Sequence, residues 1–125
     1  MAMAKEVMGG GFSAGQAQAM GGQALSLAAA GSTQGTAAAV TASIVIATGA
    51  DGTKGVVLPA GQVGDEIWIF NNAGSTLKVY PPSGAAIAVP GTGLGSANAA
   101  FSHLTFKTVQ YKCVSSAQWF PLVTA

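Results

Sequence analysis

The sequence predicts an all-β protein, a small antiparallel β-sandwich or jelly roll with an extended N-terminal arm rich in Ala and Gly. Short apolar runs recur at a spacing of about ten residues, and Gly, Pro, Asn and Asp separate them. No segment in which apolar residues recur at helical spacing is long enough to form a core helix. A closed barrel is compatible with the same pattern. The 125 residues suffice for one domain with a modest core.

Residues 1–35 form the predicted arm and residues 36–125 the predicted β domain. Among the first thirty residues, nine are Ala and six are Gly. Such a segment has little to bury and cannot offset its own ordering entropy, so it is either a disordered tail or an arm ordered on a neighbouring subunit. Residues 14–20 are compatible with a helical turn or two that ends at Gly21 and Gly22.

The β domain opens with the alternating run "VTASIVIAT". One apolar face of this run is formed by Val40, Ala42, Ile44 and Ile46. Asp51 and Gly52 then predict a turn, because both residue types tolerate positive φ. A short strand in "GVVLP" ends at Pro59, which cannot donate a ladder hydrogen bond.

Residues 64–84, "GDEIWIFNNAGSTLKVYPPSG", predict a β-hairpin closed by "NNAGS" and ended by two prolines. Alternation places Ile67, Ile69, Leu77 and Val79 on the domain core. The opposite face then carries Trp68, Phe70 and Tyr80, which a second sheet, a sister subunit or an arm has to cover. We expect a subunit contact there, with Phe12 and Met20 of the arm as further contact residues.

The last third of the chain predicts further strands after a Gly-rich loop, residues 90–100. A weak short strand at residues 87–89 precedes that loop. Phe101 and His103 share one face of the next strand, and Leu104 and Phe106 the other. In "VQYKCV" the apolar and polar residues alternate, which favours a buried Cys113.

The charge content excludes several function classes. Only 7% of the residues are charged, where an ordinary soluble domain has about 25%. The five basic residues are dispersed lysines, so no basic stripe for nucleic acid exists. No apolar run approaches the roughly 18 residues of a membrane-spanning helix. A net charge of +1 gives little repulsion between copies, which indicates a protein that works in an assembly.

No catalytic, cofactor-binding or metal-ligating residue is predicted, and the chain is not expected to be an enzyme. His103 and Cys113 lack an acid or Asn to orient a nucleophilic dyad, so we interpret His103 as structural. Asp65 and Glu66 are adjacent, point to opposite faces of a strand, and are expected beside Lys78 across the ladder. The loops "GADGTKG" and "GTGLGSA" each depart from a phosphate-binding fingerprint.

Exposed aromatic residues leave one binding function open. Tyr80 beside two prolines, or Trp119 next to Phe120, would suit stacking on a sugar. A core or interface position is the favoured interpretation of these aromatics.

Several segments of the chain form a recognisable set. They are the arm from Met3 to Ala19, "AAGSTQGTAAAVTASIVIAT" and the terminal "AQWFPL". The most specific one is "G-D-E-x-x-x-x-N-x-A" followed by "V-Y-P-P-S-G", from Gly64 to Gly84. Through these segments nearly the whole chain resembles small virion structural proteins of tailed bacteriophages. The alternative within the same resemblance is a tail or fibre module that binds host surface carbohydrate.

This resemblance implies a capsid decoration or cement protein on the outside of the head, often a homotrimer. The implied partner is the major capsid protein, and the implied location is the virion, assembled in the host cytoplasm. No catalytic residues are implied.

Overall fold

A computed structural model describes residues 24–123 of the chain. Phe12, Met20 and the helical turn predicted at residues 14–20 lie outside the described residues. Ten strands run through the described part, and no helix occurs in it. The all-β class is therefore confirmed for this part of the chain.

The strands are numbered in chain order. They are β1 (Ala24–Ala28), β2 (Ala38–Ala39), β3 (Ile44–Thr48), β4 (Gly55–Val57), β5 (Glu66–Asn71), β6 (Leu77–Tyr80), β7 (Ala86–Ile87), β8 (Phe101–His103), β9 (Thr108–Ser115) and β10 (Gln118–Val123). One sheet has six strands in the order β1-β3-β5-β9-β10-β7, and the other has four in the order β2-β4-β6-β8.

From β1 to β6 the chain alternates between the two sheets. Odd-numbered strands enter the six-stranded sheet and even-numbered strands the four-stranded sheet, so neighbours within each sheet run parallel. Antiparallel pairs form only later in this part of the chain, where β8 joins β6 and β9 joins β5 and β10. The expected antiparallel arrangement is thus wrong for five of the eight strand pairs in residues 24–123.

The predicted hairpin of residues 64–84 is also wrong, because β5 and β6 belong to different sheets. Turn formers in "NNAGS" reverse the chain, but they do not decide whether the flanking strands pair with each other. Here the Asn71 side chain donates from Nδ2 to the Ser75 carbonyl at 2.9 Å, and the connection becomes a corner between the sheets. Both strands can then direct their apolar inner faces into one core.

That core is shared by both sheets and contains every core residue predicted for β5 and β6. Ile67 is 6% exposed, and Ile69, Leu77 and Val79 are fully buried. From the strands around them come Val45, Ala47, Val56, Val109, Tyr111, Cys113 and Trp119. Cys113 is buried as predicted.

The apolar face predicted for residues 40–46 is wrong at β3. Ile44 and Ile46 are 40% and 45% exposed, whereas Val45 and Ala47 are 1% and 0% exposed. A bend at residues 42–43 separates Val40 from β3 and breaks the alternation counted from it. Since both alternating sets in β3 are apolar, the pattern alone did not identify the inward set.

The arm boundary at residue 35 also needs correction. Within residues 24–35, β1 pairs in parallel with all five residues of β3. Ala30 and Gly55 then exchange two backbone hydrogen bonds of 3.0 and 3.2 Å. A Cβ at Gly55 would lie 2.6 Å from the Lys78 carbonyl oxygen of the neighbouring strand β6, so this position requires glycine. Residues 24–35 therefore belong to the β domain.

Candidate functional site

The six-stranded sheet has one face on the core and one face without a covering sheet. We name the second the outer face. It is formed by Ile44 and Ile46 of β3, Trp68 and Phe70 of β5, and Phe120 and Leu122 of β10. The two isoleucines, Phe120 and Leu122 are 40–64% exposed, and the two β5 aromatics are half-buried.

Strand register brings these residues together in rows across the sheet. Ile44 lies opposite Trp68, which lies opposite Gln110, and Gln110 lies opposite Leu122. In the neighbouring row Ile46 lies opposite Phe70. Directly opposite residues on one face have Cβ atoms about 4.5–5.5 Å apart. The apolar residues of the outer face therefore form two groups, one on β3 and β5 and one on β10. The outward residues of β9 between them are polar, namely Thr108, Gln110 and Lys112.

Charge on the outer face is confined to one ion pair in the described strands. Lys112 Nζ donates to Glu66 Oε1 at 2.8 Å, and this hydrogen bond is the largest cause that lowers the pKa of Glu66 to about 2. The antiparallel register of β5 and β9 places the two residues opposite each other. Lys78, the partner expected from the sequence, lies in the other sheet, so that prediction is wrong.

The predicted contact residues do not all lie on one surface. Trp68 and Phe70 are together on the outer face, as alternation predicts. Tyr80 belongs to the other sheet, is 7% exposed, and donates its hydroxyl to the Ser32 carbonyl at 2.9 Å. It therefore has little surface left for a partner.

Sequence reasoning missed four members of the outer face, namely Ile44, Ile46, Phe120 and Leu122. A signal was present, because the β3 segment is apolar at both alternating sets of positions and β10 nearly so. A strand that is apolar on both sides is typical of a sheet covered on both faces. Only one of those faces is covered within the described part of this subunit.

The loop between β8 and β9 exposes a second apolar pair. Leu104 is 55% exposed and Phe106 is 60% exposed. Phe106 has φ of 57°, an uncommon conformation for a bulky residue. Its N–H donates to the Asn71 carbonyl at 2.9 Å, and the Thr105 hydroxyl donates to the Ala73 carbonyl. Those two bonds fix the loop against the end of β5.

His103 and Asn71, buried polar residues of the described chain, hold the base of this loop. The His103 Nε2 lies 2.6 Å from the Lys107 carbonyl oxygen, which can only accept, so Nε2 carries the proton. Nδ1 then accepts from the Tyr111 hydroxyl at 2.9 Å. Asn71 Nδ2 donates to the His103 carbonyl at 3.1 Å. Both ring nitrogens of His103 are therefore occupied.

The structure does not assemble a nucleophilic dyad from His103 and Cys113. The Cys113 thiol donates to the Ser115 carbonyl at 3.0 Å, and burial raises its pKa. Burial also lowers the pKa of His103, which keeps the ring neutral. A neutral histidine with both nitrogens engaged has no free atom with which to activate a thiol.

The remaining sequence candidates have structural roles in the described residues. Asp51 Oδ1 accepts from Thr53 and Lys54 and has a pKa lowered to about 2, chiefly by the Thr53 hydroxyl. Within residues 24–123 no group of three His, Cys, Asp or Glu side chains is placed to hold a metal. Trp119 is fully buried and cannot stack on a sugar. No helix of this range could span a membrane.

A scan against protein-family models gave no match, and neither did searches of curated proteins and of solved structures.

Proposed function

We propose that this chain is a bacteriophage virion structural protein, a capsid decoration or cement protein. It binds the outside of the head and stabilises contacts between major capsid subunits. The observation that carries the proposal is the outer face, an apolar surface in a chain with 7% charged residues. Its β3 and β5 residues form a contiguous apolar patch. Such patches mark interaction sites, because isolated soluble domains rarely leave them open to water.

The proposed role is passive and not enzymatic. We infer that the two sheets sharing one core form a β-sandwich, with inner faces about 10 Å apart. Such a domain presents the outer face as a rigid surface, and the loop with Leu104 and Phe106 supplies a second exposed apolar site. Many copies on one head then bind together through individually weak contacts.

The location is tested on virions of the phage that carries this gene. We expect cryo-EM density for the protein on the outer head surface, in register with the capsid lattice. Absence of the protein from purified virions would refute the proposed function. Density on the tail alone would replace the decoration role with a role in the tail.

The arm is proposed as a tether to neighbouring capsid subunits. Its test is a variant without residues 1–23, compared with the full chain in head occupancy. The deletion has to stop before Ala24, because β1 begins there and pairs with β3. A lower occupancy is expected, and undiminished occupancy would exclude the tether.

A further inference from the structure

We propose that β8 is an acid-released edge strand, which detaches from the domain when His103 takes up a second ring proton. The inference goes beyond the proposed function. It assigns a conformational device to the four-stranded sheet, whereas the proposed function rests on the outer face of the six-stranded sheet. Among the described strands, β8 lies at an edge and pairs with β6 alone.

Two inward side chains hold β8 on the core, and both contact Tyr111 of β9 in the other sheet. The rings of Phe101 and Tyr111 meet edge to face, with centroids 6.0 Å apart. His103 Nδ1 accepts from the Tyr111 hydroxyl at 2.9 Å. Tyr111 and His103 are fully buried, and Phe101 is half-buried. The attachment of β8 to the other sheet therefore depends on its contacts with Tyr111.

The hydrogen bond between His103 and Tyr111 requires a neutral imidazole ring. Nε2 carries a proton in either state, because the Lys107 carbonyl oxygen 2.6 Å away can only accept. A second ring proton would be added at Nδ1, where it meets the proton of the Tyr111 hydroxyl. That hydroxyl has no other acceptor among residues 24–123. Protonation in the closed form therefore leaves a buried charge beside an unsatisfied hydroxyl, which is unfavourable.

The surroundings of His103 do not offset the charge of a protonated ring. No carboxylate of residues 24–123 contributes to the pKa of His103, which burial lowers and the Lys107 carbonyl raises by a smaller amount. Tyr111 is the titratable residue of β9 in contact with the ring, and burial raises the pKa of its hydroxyl. Leu77 of β6 lies opposite and is apolar, and Asn71 of β5 donates a neutral amide to the His103 carbonyl.

Release is local because little else holds β8. Its ladder with β6 has three residue pairs, and short edge elements open at a lower free energy than a whole domain does. The loop before it contains Gly91, Gly93 and Gly95 with positive φ, and loop residues of this kind serve as hinges. After it, the Phe106 N–H donates to the Asn71 carbonyl and fixes the other end. β8 can thus leave β6 while the six-stranded sheet stays folded.

Detachment of β8 uncovers the side of β6 that it protects. Leu77 and Val79 lie opposite His103 and Phe101, and both are fully buried in the closed form. The backbone of β6 also becomes a free sheet edge, which is a site for pairing with another strand. Acid therefore opens an apolar surface and a strand edge that are closed at neutral pH.

Hydrogen exchange followed by NMR tests the release in the full chain. Protection factors, which correct for the direct effect of pH on exchange, are measured from pH 7.5 downwards until the ring nitrogens of His103 show a protonated imidazole. We expect the protection of the Phe101 amide in β8 to fall by about tenfold or more relative to the Ile69 amide in β5. The fall should follow the titration of the ring nitrogens.

His103→Gln is the matched control. A glutamine amide can donate to the Lys107 carbonyl and accept from the Tyr111 hydroxyl, as the neutral ring does, and it does not titrate. We expect the ratio of Phe101 to Ile69 protection in this variant to stay constant over the same pH range. Binding of the apolar dye ANS should rise in acid for the wild type and not for the variant.

Three outcomes would overturn the inference. If Phe101 stays protected while the ring nitrogens show a protonated His103, the closed form accommodates the charge. If Phe101 and Ile69 lose protection together, acid unfolds the whole domain. If His103→Gln loses Phe101 protection in acid as the wild type does, another group is responsible. None of these outcomes bears on whether the protein is found on virions, so the two proposals fail separately.

Discussion

His103 is a histidine whose role follows from its buried hydrogen bonds. It accepts from Tyr111 and donates to the Lys107 carbonyl, and its own carbonyl accepts from Asn71. The residue therefore joins β8, β9 and the end of β5. An unsatisfied polar group at such a position would cost about 1–3 kcal/mol, which makes the complete set of bonds a condition for burying it.

Acidification should destabilise the protein through His103. Burial lowers its pKa in the folded state below the ordinary value of 6.5, so the unfolded chain binds more protons below that pH. The stability contributed by neutral His103 is complete above pH 6.5 and is lost as pH falls towards the folded-state pKa. We expect a lower free energy of unfolding at pH 5.5 than at pH 7.5, measured by urea denaturation.

The control for this pH dependence is His103→Gln, which removes the titrating ring. Its free energy of unfolding should be lower at both pH values and nearly equal between them. An unchanged difference between pH 7.5 and pH 5.5 in this variant would assign the effect to another group.

Gly61 should not tolerate a methyl group. A Cβ at this position would lie 2.6 Å from Trp119 Cζ2 and 2.8 Å from Cys113 Sγ, both in the buried core. We expect Gly61→Ala to lower the free energy of unfolding by about 1–3 kcal/mol, the usual cost of overpacking. Gly74→Ala is the control, because its Cβ would meet nothing within 4 Å. If the two variants unfolded at the same urea concentration, the packing of Gly61 against Trp119 and Cys113 would be contradicted.

Among the elements, β3 and β5 show what alternation can and cannot establish. For β5 the sequence predicts the inward residues correctly, because Asp65 and Glu66 mark the strand start and both isoleucines fall on one face. For β3 both faces are apolar, and a shift of one residue exchanges them completely. Pairing with β1 and β5 decides which set points inward.

Two identical substitutions on opposite faces of the six-stranded sheet test this register. Ile69 is fully buried and Ile46 is 45% exposed. We expect Ile69→Ala to cost about 2–5 kcal/mol, through lost burial and a cavity, and Ile46→Ala about 0.5 kcal/mol. Urea denaturation measures both free energies of unfolding. Similar costs would place Ile46 in the core and refute the described register.

The whole molecule combines a shared apolar core with very little charge. One ion pair, Glu66–Lys112, is identified among the described residues, and the Lys112 side chain is 43% exposed. Exposed pairs of this kind contribute about 0–1 kcal/mol. Stability should therefore depend on apolar burial and hardly on charge.

Salt type should separate these two contributions to stability. Sodium chloride from 0.05 to 0.5 M screens charges, and we expect it to change the free energy of unfolding by less than about 1 kcal/mol, given how little charge there is to screen. Ammonium sulfate strengthens apolar burial and should raise the free energy of unfolding. Urea denaturation in the two salts measures this. Strong destabilisation by sodium chloride would indicate an electrostatic contribution instead.

Local pattern is sufficient for the strand-rich class, for the buried Cys113 and for the core residues of β5 and β6, because side-chain alternation acts over a few residues. Local pattern does not determine the sheet to which each strand belongs. A turn such as "NNAGS" is compatible with a hairpin and with a corner between two sheets. Which of the two forms depends on pairing between residues 20 or more apart in the sequence. The alternation of β1 to β6 between two sheets, with parallel neighbours in each, follows from that long-range pairing. So does the exposure of the outer face. Each strand is stabilised by the neighbour that completes its hydrogen bonds and covers its inner face.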